Sequence, residues 1–309
     1  MAEHEMKLEA SVVKALTVEP GKPADLQNRS TTWTRADWPR LAGRESRKAA
    51  AKEALAEFTT ELETSQELLW ASNSHALLLV LQAMDAAGKD GCIKHVMSGV
   101  NPQGCEVTSF KVPSAEELAH DFLWRYSKAL PARGRIGIFN RSYYEEVLVV
   151  RVHPDLIAAR PQDAGAPPEA FWHERFKAIN AFEEHLNSSS IRIVKVFLHL
   201  SYEEQRKRFL KRLEDPDKTW KFSTADLAER KHWADYQAAY EEALGKTSTE
   251  SAPWYVVPAD HKYVARALVG GILVDAIGEL KLSYPKPDPA DSAELEKAKE
   301  ELLSDSDSA

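Results

Sequence analysis

LLLVLQAMDAAGKDGCIKHV, residues 77–96, passes from a continuous apolar run through a glycine-containing turn into a segment of helical spacing. Strand, turn, helix is the order a phosphate-binding loop requires, because backbone N–H groups in the turn and the helix N-terminus together stabilise an anion. The loop departs from the usual frame twice. Ala83 stands where such a loop begins with Gly, and Asp90 stands where a metal-holding Ser or Thr follows the lysine. Carboxylates therefore bracket Ala86, Ala87, Gly88, Lys89 and Gly91 on both sides, at Asp85 and Asp90. A carboxylate beside phosphate is repulsive unless a divalent cation lies between them. Asp85 and Asp90 are accordingly candidate metal ligands, with Mg2+ the expected ion and Mn2+ its alternative, and Lys89 a point charge on the phosphoryl group being moved. The competing readings are a turn cap at Asp85 and a first-turn helix acid at Asp90.

Outward from the loop, four further apolar runs resemble the first: EVTSF (106–110), RIGIFN (135–140), IRIVKVFLHL (191–200) and WYVVP (254–258). Continuous rather than alternating runs predict parallel strands covered on both faces. Helical spacing fills the gaps, as in 171–186, where Trp172, Phe176, Ile179, Phe182 and Leu186 draw one stripe. Strands alternating with helices predict an α/β fold with a doubly wound parallel sheet. An amphipathic helix within 44–70 is expected to cover the sheet or a neighbouring subunit, and 261–280 reads as a buried helix despite Gly270 and Gly271. The expected division is an N-terminal extension over 1–43, a phosphotransferase domain over 44–282 with a lid at about 201–236, and an acidic tail over 283–309.

The chain has 309 residues, 43% of them hydrophobic, enough for one large core or two modest ones. No apolar run reaches the roughly 18 residues of a membrane span, and the N-terminus lacks the layout of an export signal. A cytoplasmic protein without a membrane or nucleic-acid partner is expected. Cys92 and Cys105 read as small buried residues, and the ten histidines show no zinc spacing. Of the formal charge of −8, residues 285–309 hold three basic and eight acidic side chains, leaving only −3 for the rest. Locally the sign reverses, with five basic residues in RKRFLKR (206–212).

A second element, IGIFNRSYYEE (136–146), ends the third strand, where ligands bind across the crevice from the loop. Asn140 and Arg141 are expected to point at the same phosphates, with Glu145 and Glu146 following as surface helix acids. MDAAGKDG, SGVNPQG, SFKVPS, IFNRSYYEEVLVVRVHP, EEQRKRFLKRLEDPDKTWKFS and APWYVVPAD, in this order over roughly residues 30–282, together resemble polyphosphate kinase family 2. The Asn-Arg-Ser-Tyr-Tyr-Glu form of the second motif is most similar to the branch that phosphorylates both nucleoside mono- and diphosphates. Other branches carry Asp at the position of Asn140.

The resemblance implies a P-loop kinase fold similar to thymidylate kinase, with a five-stranded parallel sheet between helices and a helical lid. It implies inorganic polyphosphate and AMP or ADP as substrates, a reversible reaction, and a homo-oligomer, dimer or tetramer. By matching positions, Asp85 organises magnesium and the acceptor phosphate and Lys89 holds the transferred group. Asn140 and Arg141 belong to the second motif. Arg208, Arg212, Lys218 and Lys221 are implied to meet phosphates from the lid, and Lys94 and Lys111 to lie along the polyphosphate track. Arg133, before the third strand, is grouped with the substrate-binding residues. A polyanion without bases is gripped only by a line of Lys, Arg and N–H groups, and Arg208 and Arg212, four apart, are expected to present two forks to one phosphate row. Trp220, Trp233 and Tyr236 are expected to pack within the lid. The alternatives are an ATP-dependent nucleoside monophosphate kinase and a non-catalytic polyanion-binding protein.

Overall fold

Each of the five apolar runs forms a strand within one residue of its expected bounds in the computed structural model, which describes residues 7–33, 35, 38, 46–153, 155–158, 168–286 and 288–305. The strands are β1 (Ala76–Ala83), β2 (Cys105–Ser109), β3 (Ile136–Asn140), β4 (Ile191–His199) and β5 (Trp254–Pro258). They make one parallel sheet in the order β2-β3-β1-β4-β5. The helices used below are α1 (Ala10–Leu16), α2 (Arg47–Ser72), α3 (Lys89–Val96), α4 (Pro168–Ser188), α5 (Tyr202–Glu214), α6 (Thr224–Lys231), α7 (Trp233–Thr247), α8 (Lys262–Gly278) and α9 (Pro289–Asp305).

Strand periodicity sorts the core into two layers. Leu77, Leu79 and Leu81 of β1 and Val194, Val196 and Leu198 of β4 face a layer with α1, α2, α3 and α8. Leu78 and Val80, with Ile193 and Phe197, face an aromatic layer containing Tyr126, Tyr143, Tyr144, Phe176 of α4, Tyr240 of α7 and Trp254. β2 corrects the expectation of strands covered on both faces: it is an edge strand whose Glu106 and Val107 are exposed.

The two glycines inside α8 mark close approaches. A Cβ on Gly271 would stand 2.6 Å from Cγ of Leu8, and one on Gly270 would stand 3.3 Å from Cβ of Phe58 in α2. The helix gives up about 1 kcal/mol per glycine in propensity and gains that contact. The apolar stripe of α2, with Phe58, Leu62 and Leu69 buried, is thus used against α8 of the same chain rather than offered to another subunit.

The expected extension over 1–43 is a second correction, since its described part is built into the core. Val12, Leu16 and Val18 are buried, Thr17 bridges Tyr255 beside β5, and Arg29 donates to the carbonyls of Ala15, Leu16, Thr17 and Ala24, closing the end of α1. Residues 1–6, 34, 36, 37 and 39–45, and 306–309 of the tail, lie outside the described residues. The rest of the tail carries α9, whose Leu295 and Leu302 are exposed. Among the described residues no helix is long and apolar enough to cross a membrane.

Candidate active site

The turn after β1 holds two residues in the left-handed region, Ala86 at φ 62° and Gly88 at φ 109°. Gly adopts this freely, whereas Ala there stores strain that surrounding bonds must hold. Arg208 supplies them. Its Nη1 donates to the carbonyl oxygens of Ala86 (3.0 Å) and Ala87 (2.7 Å), and its Nη2 to those of Ala259 (2.6 Å) and Asp260 (3.1 Å), while Nε pairs with Glu204 at 2.9 Å. Gln205 adds a bond to the carbonyl of Asp85 (2.9 Å). With its carbonyls tied from behind and no side-chain cap on α3, the loop leaves the first-turn N–H groups of that helix open to an anion.

Lys89 is half-buried and donates from Nζ to the carbonyl oxygen of Ala83 at 2.8 Å. Burial lowers its pKa, the neighbouring Arg141 adds to that, and Asp85, Glu145 and Asp90 oppose it. Arg141 follows β3 with φ 64°, its backbone N–H bonded to the carbonyl of Leu81. Its guanidinium spans Asp85 (Nη2 to Oδ1, 3.0 Å) and Glu145 (Nη1 to Oε2, 3.6 Å), which raise its pKa, Glu145 most. Asn140 donates from Nδ2 to Oδ1 of Asp90 at 2.8 Å. Loop and β3 end are therefore cross-linked twice, and each loop carboxylate has one oxygen engaged by that strand end.

Two cavities flank Arg141 and Glu145. One, of about 30 Å³, lies beneath α6 and α7 and is lined by Asp85, Arg141, Gln205, Asp226, Glu229, Arg230 and others. The other, of about 310 Å³, opens toward β2 and is walled by Phe110, Val112, Leu118, Tyr126, Val149 and Leu156, with Lys111, Arg125, Arg141 and Glu145 among its polar groups. Arg125 is nearly buried, lies over the rings of Phe110 and Tyr126, and has an Nε without a partner among the described residues. An apolar chamber with a few convergent cations suits a molecule with a flat apolar part and a phosphate.

Asp85, Ala86, Ala87, Gly88, Lys89, Asp90, Gly91, Asn140 and Arg141 come together as the sequence predicts, and Lys111 lines the larger cavity. Other expectations need correction. Arg133 precedes β3, where Gly134 bonds to the carbonyl of His75 before β1; it is at the amino end of the sheet, roughly 15 Å or more from the loop at about 3.3 Å per strand residue. Arg208 and Arg212 do not present two forks to one row, because Arg208 is buried behind the loop while Arg212 faces Asp226 at 3.6 Å. Lys218 pairs with Asp215 on the surface, Lys94 is exposed on α3, and Lys221 lies in a turn over Thr219–Lys221. Glu145 and Glu146 are not surface acids: Glu146 is buried, and Glu145 is half-buried with its pKa raised by burial against the pull of Arg141 and Lys89. Of the lid aromatics Tyr236 is buried and Trp233 stacks edgewise on Tyr202, but Trp220 is 77% exposed.

The sequence reading missed Phe110, Arg125 and Tyr126. The signal was present in FLWRYS, where a basic residue sits between aromatics, but nothing local said that this segment folds beside the end of β2.

A sequence model described as polyphosphate kinase 2 (PPK2) matches residues 45–284. The chain is 57% identical over 243 residues to a protein from Rhodopseudomonas palustris named ADP-polyphosphate phosphotransferase, covering 78% of this chain and 84% of that one. It is 48% identical over 246 residues to a Meiothermus ruber protein named AMP/ADP-polyphosphate phosphotransferase, covering 80% and 88%. Among solved structures, polyphosphate kinase 2 from Arthrobacter aurescens TC1 superposes with a TM-score of 0.80 at 43% identity, over 93% of this chain and 97% of that one.

Proposed function

The chain belongs to the polyphosphate kinase 2 family, and from that premise we propose that its crevice passes phosphoryl groups from inorganic polyphosphate to AMP or ADP, reversibly. The observation that carries the residue assignment is Arg141, held in a left-handed backbone between Asp85 and Glu145 and beside Lys89, at the junction of the phosphate loop and the 310 Å³ chamber. The nucleoside occupies the chamber against Phe110, Tyr126 and Val149, and Arg141 meets its terminal phosphate. Lys89 and the open N–H groups of α3 take the phosphoryl group in transit. Transfer of this kind is governed by alignment and by cations on the equatorial oxygens, so no protein nucleophile is involved, and an ionised acceptor phosphate needs no strong base. Arg208 serves as a positioning residue, because it holds the carbonyls that would otherwise face the anion.

The donor set fits magnesium. Asp85, Asp90 and Asn140 offer oxygen atoms only, and among the described residues no group of three or more His, Cys, Asp or Glu could enclose a metal. Magnesium takes one or two carboxylates and completes its shell with water and phosphate oxygens, so a sparse set of this kind suits it. Asp85 and Asp90 would hold it, and when bound it neutralises charge across donor and acceptor oxygens. Glu145, Asp226 and Glu229 add negative charge around the narrow cavity, and Arg141 and Arg230 balance it there.

Incubation with polyphosphate, magnesium and AMP or ADP, without ATP, tests the reading. Formation of ADP or ATP is the expected result, and chelation with EDTA should stop it without shifting the melting temperature. Activity that appears only with ATP as donor would instead support an ordinary nucleoside monophosphate kinase.

A further inference from the structure

On the flank of the loop away from the large chamber, the chain carries cations that the proposed reaction has not used. Lys262 and Arg266 stand four residues apart at the start of α8 and so share a helix face. Arg266 is half-buried, and its Nη2 lies 3.2 Å from the point where a Cβ on Gly91 would stand, against the first turn of α3. Arg208 borders the same turn, 3.8 Å from the corresponding point on Gly88. Lys262 and Arg266 make no hydrogen bond or ion pair among the described residues.

Like charges surround them. Burial, then Arg208 and Arg266, lower the Lys262 ammonium to about 8, Lys211 adds to this, and Glu204 alone opposes it. Glu204 is already paired with Arg208. Burial and Arg208 lower Arg266 as well, and burial, Arg266 and Lys94 lower the exposed His95. A patch of mutually repelling cations without a counter-ion is unfavourable as it stands and is relieved by a polyanion.

The sheet order gives this patch a direction. The chamber lies on the β3–β2 side of β1, whereas α8 follows β5 on the other side. In-line transfer puts donor and acceptor on opposite sides of the moving group. We infer that the donor polyphosphate leaves the loop over the start of α8, with its distal phosphates held by Lys262 and Arg266, rather than over β2 past Lys111. The inference rests on the polyphosphate reading above.

The test compares long-chain polyphosphate with tripolyphosphate, which is too short to reach α8 from the loop. Lys262→Gln and Arg266→Gln should each cut the KM advantage of the long chain by about fivefold to tenfold, the size expected for one charge-assisted contact. The salt dependence of long-chain binding, measured by calorimetry without nucleotide, should flatten by roughly 0.7 to 0.9 per cation removed. Arg266→Lys keeps the charge and should recover most of the advantage, which a loss of packing against Gly91 would not allow. Lys262 is exposed, so its variant carries the test if Arg266→Gln folds poorly. Equal losses with both donors, a change confined to the nucleotide KM, or the same loss in Lys111→Gln but in neither α8 variant would overturn the assignment. If the wild-type protein used no polyphosphate of any length, the reaction itself would be wrong and the track with it.

Discussion

Lys195 and Lys89 are two lysines whose pKa is lowered first by burial, and they do opposite things. Lys195 lies in the middle of β4 on the aromatic face, fully buried, with Nζ 2.6 Å from Glu183 Oε2, 2.6 Å from the carbonyl of Thr247 and 3.1 Å from Tyr144 Oη. Glu183 is completed by the hydroxyls of Tyr143 and Tyr144, each donating to Oε1 at 2.8 Å. Every valence is met inside the protein, and the pair ties α4, β4, α7 and the turn after Arg141 together. Lys89 has one carbonyl partner and three carboxylates that raise its pKa without forming an ion pair with it among the described residues. A buried cation with a dedicated counter-ion is architecture, whereas a cation left with an open valence awaits an anion.

Variants can break or sharpen that contrast. The largest effect is expected at Lys89→Ala, which should lower turnover by about a thousandfold while changing stability by about 1 kcal/mol or less; steady-state assay and urea unfolding on the same preparation would check both. Lys195→Ala should do the reverse, costing about 3–5 kcal/mol in urea unfolding because Glu183 is left charged and unpaired in the core. A Lys195 variant of normal stability would show that the buried pair is not the support proposed here. Tyr143→Phe removes one bond to Glu183 and should cost about 1–2 kcal/mol, with part of the loss visible as a higher nucleotide KM if the turn also positions Arg141. The smallest effect concerns pH. Lys262, facing Arg208, Lys211 and Glu204 of α5 and Arg266 of its own helix, titrates near 8 in the free protein. Its charge is present below that pH and is lost above it. The KM for long-chain polyphosphate should therefore rise as pH passes 8 in the wild type and rise less in Lys262→Gln.

The five strands and α4 were legible because parallel strands and amphipathic helices write their burial into consecutive residues. Lys89 and Arg141 were legible because each follows a buried strand, and strand ends in such sheets face the ligand crevice. Arg208 misled for a physical reason: its side chain is identical whether it meets a phosphate or a set of loop carbonyls, and only the position of Ala86, Ala87 and Ala259 distinguishes these. Arg133 misled because proximity in sequence to a site strand does not say which end of that strand the residue occupies. Glu145 looked like a solvated acid until the chamber wall closed around it.

By itself the order of residues determined an α/β sheet, its loop and the identity of the charged groups, since local periodicity and turn chemistry act within a few residues. Which cation answers to a fixed carboxylate, which to a carbonyl and which to nothing was decided only when strands far apart in the chain became neighbours, because electrostatic partnership depends on distance in space and on the solvent that packing removes.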